Sequence, residues 1–388
     1  MKRVKLITLL LLFIFILLAA CSDKESGQTA EQDKQEKPEQ QSEEPAEPEN
    51  QDKEITISAI GDLLIHDSVY RDAKASDTYN FMKMFDQVAP YLKDSTITMA
   101  NQETMIGGEE LGLSSYPQFN SPFAVGDALK QSGVDVVTIA NNHTLDGGEE
   151  AIKRAINHWE KINMMYTGAY KSKADSNQLR IYETEEGISV AFLAFTYGTN
   201  GLPVPEGKNY LVNLIDRQLI ASRIEEAKKQ ADAVILSLHF GNEYERLPSE
   251  RQKELAQFAA DEGVHAVIGH HPHVLQPVEW VKGENGNKTL VAYSLGNFLS
   301  GQDEFYRRIG GMLKFTIKKN NENGNGSVEI TSPKFLPTFV KYQNWSDYEI
   351  VPMHRLSNDE LTNASKHYQE IKNHMAQWMP ELEFIEEK

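Results

Sequence analysis

Short apolar runs alternate with stretches of helical period between residues 54 and 301. Runs rich in Val, Ile, Leu, Ala and Thr at 55–60, 96–100, 134–140, 190–195, 233–239, 264–268 and 289–294 predict buried strands. Between them, apolar residues at helical spacing, such as Phe81, Met84, Phe85, Val88 and Leu92, predict helices over 81–92, 147–161, 215–230 and 249–262. Ser249 and Gln252 have the spacing of a capping box. Strand and helix in alternation signal α/β architecture. After residue 301 the pattern changes to alternation and turns. Segments 312–318, 327–331 and 335–340, with an Asn/Gly-rich turn over 320–326, predict hairpin strands, and a last helix is expected over about 358–375. No repeat or composition break interrupts residues 55–340, so one large domain over 55–345 is expected, followed by a helical extension over 346–388.

The N-terminal part reads differently. Lys2, Arg3 and Lys5 precede an apolar run over 9–20 that stops at Cys21. This is the layout of a secretory signal and is short for a membrane span. The preceding Leu18, Ala19 and Ala20 resemble a bacterial lipobox, which implies a signal peptide over 1–20, lipidation of Cys21 and an extracytoplasmic protein anchored to the cell membrane. Cys21 is the single cysteine, so stability comes without an intramolecular disulfide. Residues 22–54 are rich in Glu, Gln, Asp, Ser, Pro and Lys, and segment 21–54 is expected to be a lipidated cysteine followed by a disordered acidic linker. The 388-residue chain carries a formal net charge of −18, which argues against nucleic acid as a partner. A polyanionic substrate would need a local cationic site, such as a bound metal.

Five polar clusters follow predicted strands directly, where open α/β sheets collect their chemistry. They are Asp62; Asn101 with Glu103; Asn141, Asn142, His143 and Asp146; His239; and His270, His271 and His273. Carboxylates at Asp62 and Glu103, the Asn142 amide oxygen and the imidazoles of His239, His271 and His273 form a mixed O and N donor set. Such a set suits one or two divalent ions of the Mn, Zn, Fe or Mg kind better than a closed structural zinc. Two ions would clamp a phosphoryl group and acidify a bound water. His143, with Asp146 three residues on to fix its tautomer, suits proton donation to a leaving group. His270 and Asn297 are candidates for substrate contact.

The ordered motifs Gly61-Asp62, Asn101-Gln102-Glu103, Asn141 to Asp146, His239 to Glu243, Gly269 to Val274 and Ser294 to Phe298 resemble the CapA/PgsA family of poly-γ-glutamate capsule biosynthesis, itself similar to calcineurin-like metallophosphoesterases. The resemblance spans about residues 55–300. It implies a four-layer α/β/β/α sandwich with a metal site at one edge of the paired sheets. It further implies a metal-binding set of Asp62, Glu103, Asn142, His239, His271 and His273, with His143 handling protons, and a surface protein working on an anionic polymer beside poly-γ-glutamate synthase subunits. Two departures stand out. Asp62 lacks the histidine two residues later that phosphoesterases carry, His66 falling two positions too far, and Asn101-Gln102-Glu103 replaces their second motif. The first metal position is thereby left open between weaker, differently filled and absent. Three functions remain: a polymer-assembly protein, an independent metal-dependent hydrolase of the envelope, and a non-catalytic scaffold for a polymer synthase.

Overall fold

The computed structural model describes residues 52–320 and 327–387. The expected signal segment, Cys21, nearly all of the linker and most of the expected 320–326 turn lie outside the described residues. Among the described residues, no helix is long and apolar enough to cross a membrane.

The main strands, in chain order, are β1 (Lys53–Leu64), β2 (Ile97–Gln102), β3 (Val136–Thr138), β4 (Met165–Thr167), β5 (Arg180–Glu183), β6 (Ser189–Thr196), β7 (Ala233–His239), β8 (Ala266–His270), β9 (Leu275–Lys282), β10 (Lys288–Leu295), β11 (Asn297–Ser300), β12 (Ile309–Asn320), β13 (Ser327–Gln343) and β14 (Ser346–Pro352). One sheet runs β14-β13-β12-β1-β2-β3-β4, with β11 added beside β1; the other runs β9-β10-β8-β7-β6-β5. The main helices are α1 (Ala124–Ser132), α2 (Gly148–Lys161), α3 (Arg217–Lys228), α4 (Glu250–Asp261) and α5 (Ala364–Met375).

Alternation along single strands explains the layering. In β6, Val190 and Phe192 face the first sheet and pack with Ile57, Met99 and Val136. Ala191, Leu193 and Phe195 face the other way, onto Ile220 and Ile224 of α3 and Ala256 of α4. On the far side of the first sheet, Ile60, Ala100 and Val137 meet Leu129 of α1 and Ile152 and Trp159 of α2. Helices, sheet, sheet and helices therefore form the expected four-layer α/β/β/α sandwich. Strands buried on both faces have no polar face to show, which is why they read as unbroken apolar runs.

Several elements differ from expectation. The helix expected over 81–92 is two short ones, Met82–Phe85 and Ala89–Leu92, because Pro90 has no N–H to continue the first and sits instead at the start of the second. The segments 327–331 and 335–340 belong to one strand, β13, which kinks at Ser332 where φ is 52° and the register against β12 slips. The boundary expected between 345 and 346 falls inside a hairpin: β14 pairs with β13 from Gln343↔Ser346 to Thr338↔Pro352. Residues 346–352 thus belong to the first sheet, the extension is not wholly helical, and the described residues fold as one unit.

Candidate metal centre

Asp62 owes its position to an irregularity. Strand β1 pairs with β12 as far as Ile60 and with β11 from Asp62 onward, and its register against β2 shifts across Gly61. A Cβ on Gly61 would lie 2.1 Å from the Gly296 carbonyl oxygen, so only glycine lets the strands approach. The Asp62 N–H then donates to that oxygen at 2.7 Å. Its carboxylate is completely buried and accepts from Asn101 Nδ2 (2.9 Å), His270 Nδ1 (3.0 Å), His273 Nδ1 (3.2 Å) and the His271 N–H (3.3 Å). Burial pushes its pKa up, but the bonds from His270 and His273 outweigh that and hold the carboxyl well below its usual range.

The histidine loop after β8 is set by strain and close packing. A Cβ on Gly269 would stand 2.0 Å from the Tyr293 carbonyl oxygen. His271 and His273 both take positive φ, 99° and 57°, an arrangement that costs free energy and collects at functional sites. It turns both rings toward the strand ends of the opposite sheet. His273 Nδ1 is also 3.1 Å from Asn297 Oδ1, so that nitrogen donates and Nε2 is left to face Glu103 Oε1 at 3.6 Å. Burial opposes the His273 charge, but Glu103 and Asp62 raise its pKa to about 9. Burial and the His273 charge lower that of His271 to about 3. Burial and the neighbouring imidazoles depress His239 as well. His239 and His271 are thus held in the neutral form that binds metal, whereas His273 would give up a proton to do so.

Glu103 stands at the centre. It is fully buried, with His239 Nε2 3.5 Å from Oε1, yet neither carboxylate oxygen has a hydrogen-bond partner. Burial, against the opposing pull of His273, raises its pKa well above normal. Asn142 Oδ1 and His239 Nε2 converge to 2.9 Å, and Asn200 Oδ1 fixes the Asn142 amide by accepting from its Nδ2 at 3.3 Å. Donor atoms of Glu103, His239 and His271 form one group, and those of Asp62, Glu103 and His273 another; within each they lie no more than 4.8 Å apart. A third group joins Glu243 to His271 and His273. Unpartnered buried oxygens on Glu103 and the unpartnered Nδ1 of His271 are what a cation would satisfy, so the residues fit a divalent ion.

His143 lies beside this centre. Its Nδ1 donates to Asp146 Oδ2 at 2.6 Å, the same oxygen accepts from the Phe119 N–H at 2.7 Å, and the imidazole ring meets Phe119 edge-on at 4.7 Å. With Nδ1 engaged, Nε2 is the nitrogen left for chemistry. Asn142, His143, Asp146, Asn200 and Glu243 line a cavity of about 360 Å³ with the exposed Tyr116 at its edge.

Two residues expected to touch substrate are placed differently. Asn297 is fully buried, and Nδ2 donates to Gln302 Oε1 (3.0 Å) and to the Arg307 carbonyl (2.8 Å) while Oδ1 meets His273. Its amide is spent on positioning. His270 is buried against Asp62, with Nε2 unpartnered. His66 does not replace the missing histidine after Asp62: it packs edge-on against Phe119 at 5.2 Å and takes the Gly301 N–H on Nδ1. Sequence reading passed over Asn200, whose contact spans 58 positions, and left Glu243 open between support of His239 and the start of the next loop.

The family model for the bacterial capsule synthesis protein PGA_cap matches residues 56–302. The PGA biosynthesis protein CapA of Bacillus subtilis (strain 168) is 30% identical over 289 residues, covering 72% of this chain and 71% of that protein. The capsule biosynthesis protein CapA of Bacillus anthracis is 27% identical over 290 residues, covering 72% and 67%. Among solved structures, the calcineurin-like phosphoesterase YfkN from Bacillus subtilis aligns with 83% of this chain and 98% of its own, at 16% identity and a TM-score of 0.43. By the span of the family match and the identity of these relatives, the chain belongs to the PGA_cap family of bacterial capsule synthesis proteins.

Proposed function

We propose that this protein is an extracytoplasmic, cation-dependent factor in the synthesis, export or release of poly-γ-glutamate or a related capsule polymer. It is held at the membrane by a lipid on Cys21 and works beside the polymer's synthase subunits. Family membership and the names of its two Bacillus relatives support the polymer, and the buried His, Glu and Asp cluster supports the cation. The observation that carries the reading is Glu103, buried with both oxygens unpartnered and shared by two donor groups. One or two divalent ions of the Mn, Zn, Fe or Mg kind bound there would supply Lewis acidity toward a carbonyl or phosphoryl oxygen.

The chain's own residues would do the rest. Asp62, Glu103 and His273 would form one half of the site, and Glu103, Asn142, His239 and His271 the other. Asn101 and His270 fix the Asp62 carboxylate, and Asn200 fixes Asn142. His143, its Nδ1–H held by Asp146, would as the doubly protonated imidazolium deliver the Nε2 proton to a leaving group in the adjoining cavity and be left as the neutral Nδ1–H tautomer. An independent envelope phosphoesterase is the second reading, favoured by the sharing of one carboxylate between two donor groups, an arrangement suited to clamping a phosphoryl group.

Complementation of a deletion strain tests the proposal. Wild-type gene should restore surface polymer, whereas Glu103→Gln, which loses its cation, should not. Restoration by Glu103→Gln, or a purified full-length chain that retains no divalent metal after reconstitution, would overturn it.

A further inference from the structure

The loop after β11 carries chemistry that the cation centre does not use. Arg307 and Arg308 end the short turn Phe305–Arg308. The Arg307 guanidinium lies over the Tyr244 ring, 3.6 Å from its centroid, and Arg308 lies against both Phe339 (4.4 Å) and Tyr342 (4.2 Å). Stacking occupies the faces of a guanidinium and leaves its N–H edges for in-plane acceptors. Those edges are poorly neutralised. Arg307 pairs with Glu304 at 3.0 Å, a solvent-facing carboxylate that an incoming anion can displace, and its Nε is buried without a partner. Arg308 donates Nε to the Val340 carbonyl at 2.9 Å and makes no ion pair among the described residues. Asp303 and Glu304 precede the pair in the same loop, so its attraction for an anion rests on the open guanidinium edges and not on a net positive patch.

This pair is wired to the cation centre. Gln302 donates to the Tyr244 hydroxyl (3.4 Å), accepts from the Tyr342 hydroxyl on its backbone oxygen (3.0 Å) and accepts from Asn297 Nδ2 on Oε1. Asn297 also holds the Arg307 carbonyl and His273. One buried amide thus sets both the arginine turn and a candidate cation ligand. The Tyr244 ring, 39% exposed, stands 6.2 Å from the His273 ring and carries Arg307 above it.

We propose that Arg307 and Arg308, mounted on Tyr244, Phe339 and Tyr342, are a docking site for successive carboxylates of a polyanionic chain and present a neighbouring bond of that chain to the cation centre. Planar guanidinium edges match carboxylates in bidentate fashion. The inference rests on the proposed function for the identity of the polymer, and on the geometry alone for the place of docking.

The test is fluorescence anisotropy of labelled poly-γ-glutamate with the full-length protein in detergent, at low and high NaCl, with polyphosphate as competitor. Wild type should bind polyglutamate in a salt-sensitive way. Arg307→Gln and Arg308→Gln should each weaken binding roughly 5-fold, and the double variant more, with melting temperature and metal content unchanged. Arg308→Lys keeps the charge but loses the fork, and should recover part of the loss. Wild-type affinity in the double variant overturns the docking site and leaves the proposed function standing. Arginine-dependent binding of polyphosphate in preference to polyglutamate overturns the carboxylate assignment. Failure of wild type to bind polyglutamate at all removes both the docking inference and the polymer on which it rests.

Discussion

His273 Nε2 faces Glu103 Oε1 across 3.6 Å of buried space, and no hydrogen bond completes either oxygen of that carboxylate. Such a carboxylate is expensive unless something neutralises it. Glu103→Gln should therefore act in two opposite directions. Without added metal the variant should melt no lower than wild type. With Mn²⁺ at about 100 times its dissociation constant, wild type should gain about 2.7 kcal/mol and the variant almost nothing. Thermal melts with and without metal, paired with elemental analysis, check both halves.

His143 and Asp146 should separate from the cation ligands in behaviour. His143→Asn is expected to leave metal content intact while lowering turnover of a hydrolysable substrate by ~10²-fold or more, the usual contribution of a positioned acid. Asp146→Asn keeps an acceptor for Phe119 and should show the same pattern in weaker form. Loss of metal in either variant would show that the pair is structural to the centre.

Gly61→Ala puts a methyl group where the Gly296 carbonyl stands, 2.1 Å away. The strands must part, so destabilisation on the order of 3 kcal/mol or more is expected, together with loss of cation binding because Asp62 moves with the backbone. Denaturant titration and metal analysis of the same preparation measure both; a stable, metal-replete variant would contradict the role given to this bulge.

The legible parts of this fold were those in which one residue does one thing. β6, β7 and β8 are buried on both faces and announced themselves as apolar runs. β9 did not, because it is an edge strand that carries Gln276, Pro277 and Glu279, and its apolar signal is diluted where one side of the ladder stays open. Most of the proposed donors were readable since each lies at a strand end or in the loop after it. Asn200, Gln302 and Arg307 were not, because their significance lies in contacts with Asn142, Asn297 and Tyr244 that only the folded chain brings together. The bonding of Asn297 was hidden for a related reason: the sequence shows an amide after a strand, and cannot show that three partners already hold it.

Acid should weaken the fold partly through His265. Its Nδ1 accepts the Val234 N–H at 3.0 Å, and burial lowers its pKa from 6.5 to about 4. Between those values the unfolded chain takes up the proton and the folded one does not. Its contribution is therefore fully present above about pH 6.5 and is lost as pH falls toward 4, with a slope of up to ~1.4 kcal/mol per pH unit. His265→Asn keeps an acceptor for Val234 and should flatten the decline in that window. Denaturant midpoints measured from neutral pH downward decide it; parallel curves for the two proteins would exclude His265 as a source.

The donors of the centre are drawn from residue 62 to residue 273, and the amide that steadies one of them lies at 297. Each of the two groups built on Glu103 draws on both sheets, and no hairpin or early-made half of the chain contains either one. Capture of a cation on Glu103 would thus report that both sheets have formed and met, and the chain could acquire its chemistry only after its second sheet had closed on its first.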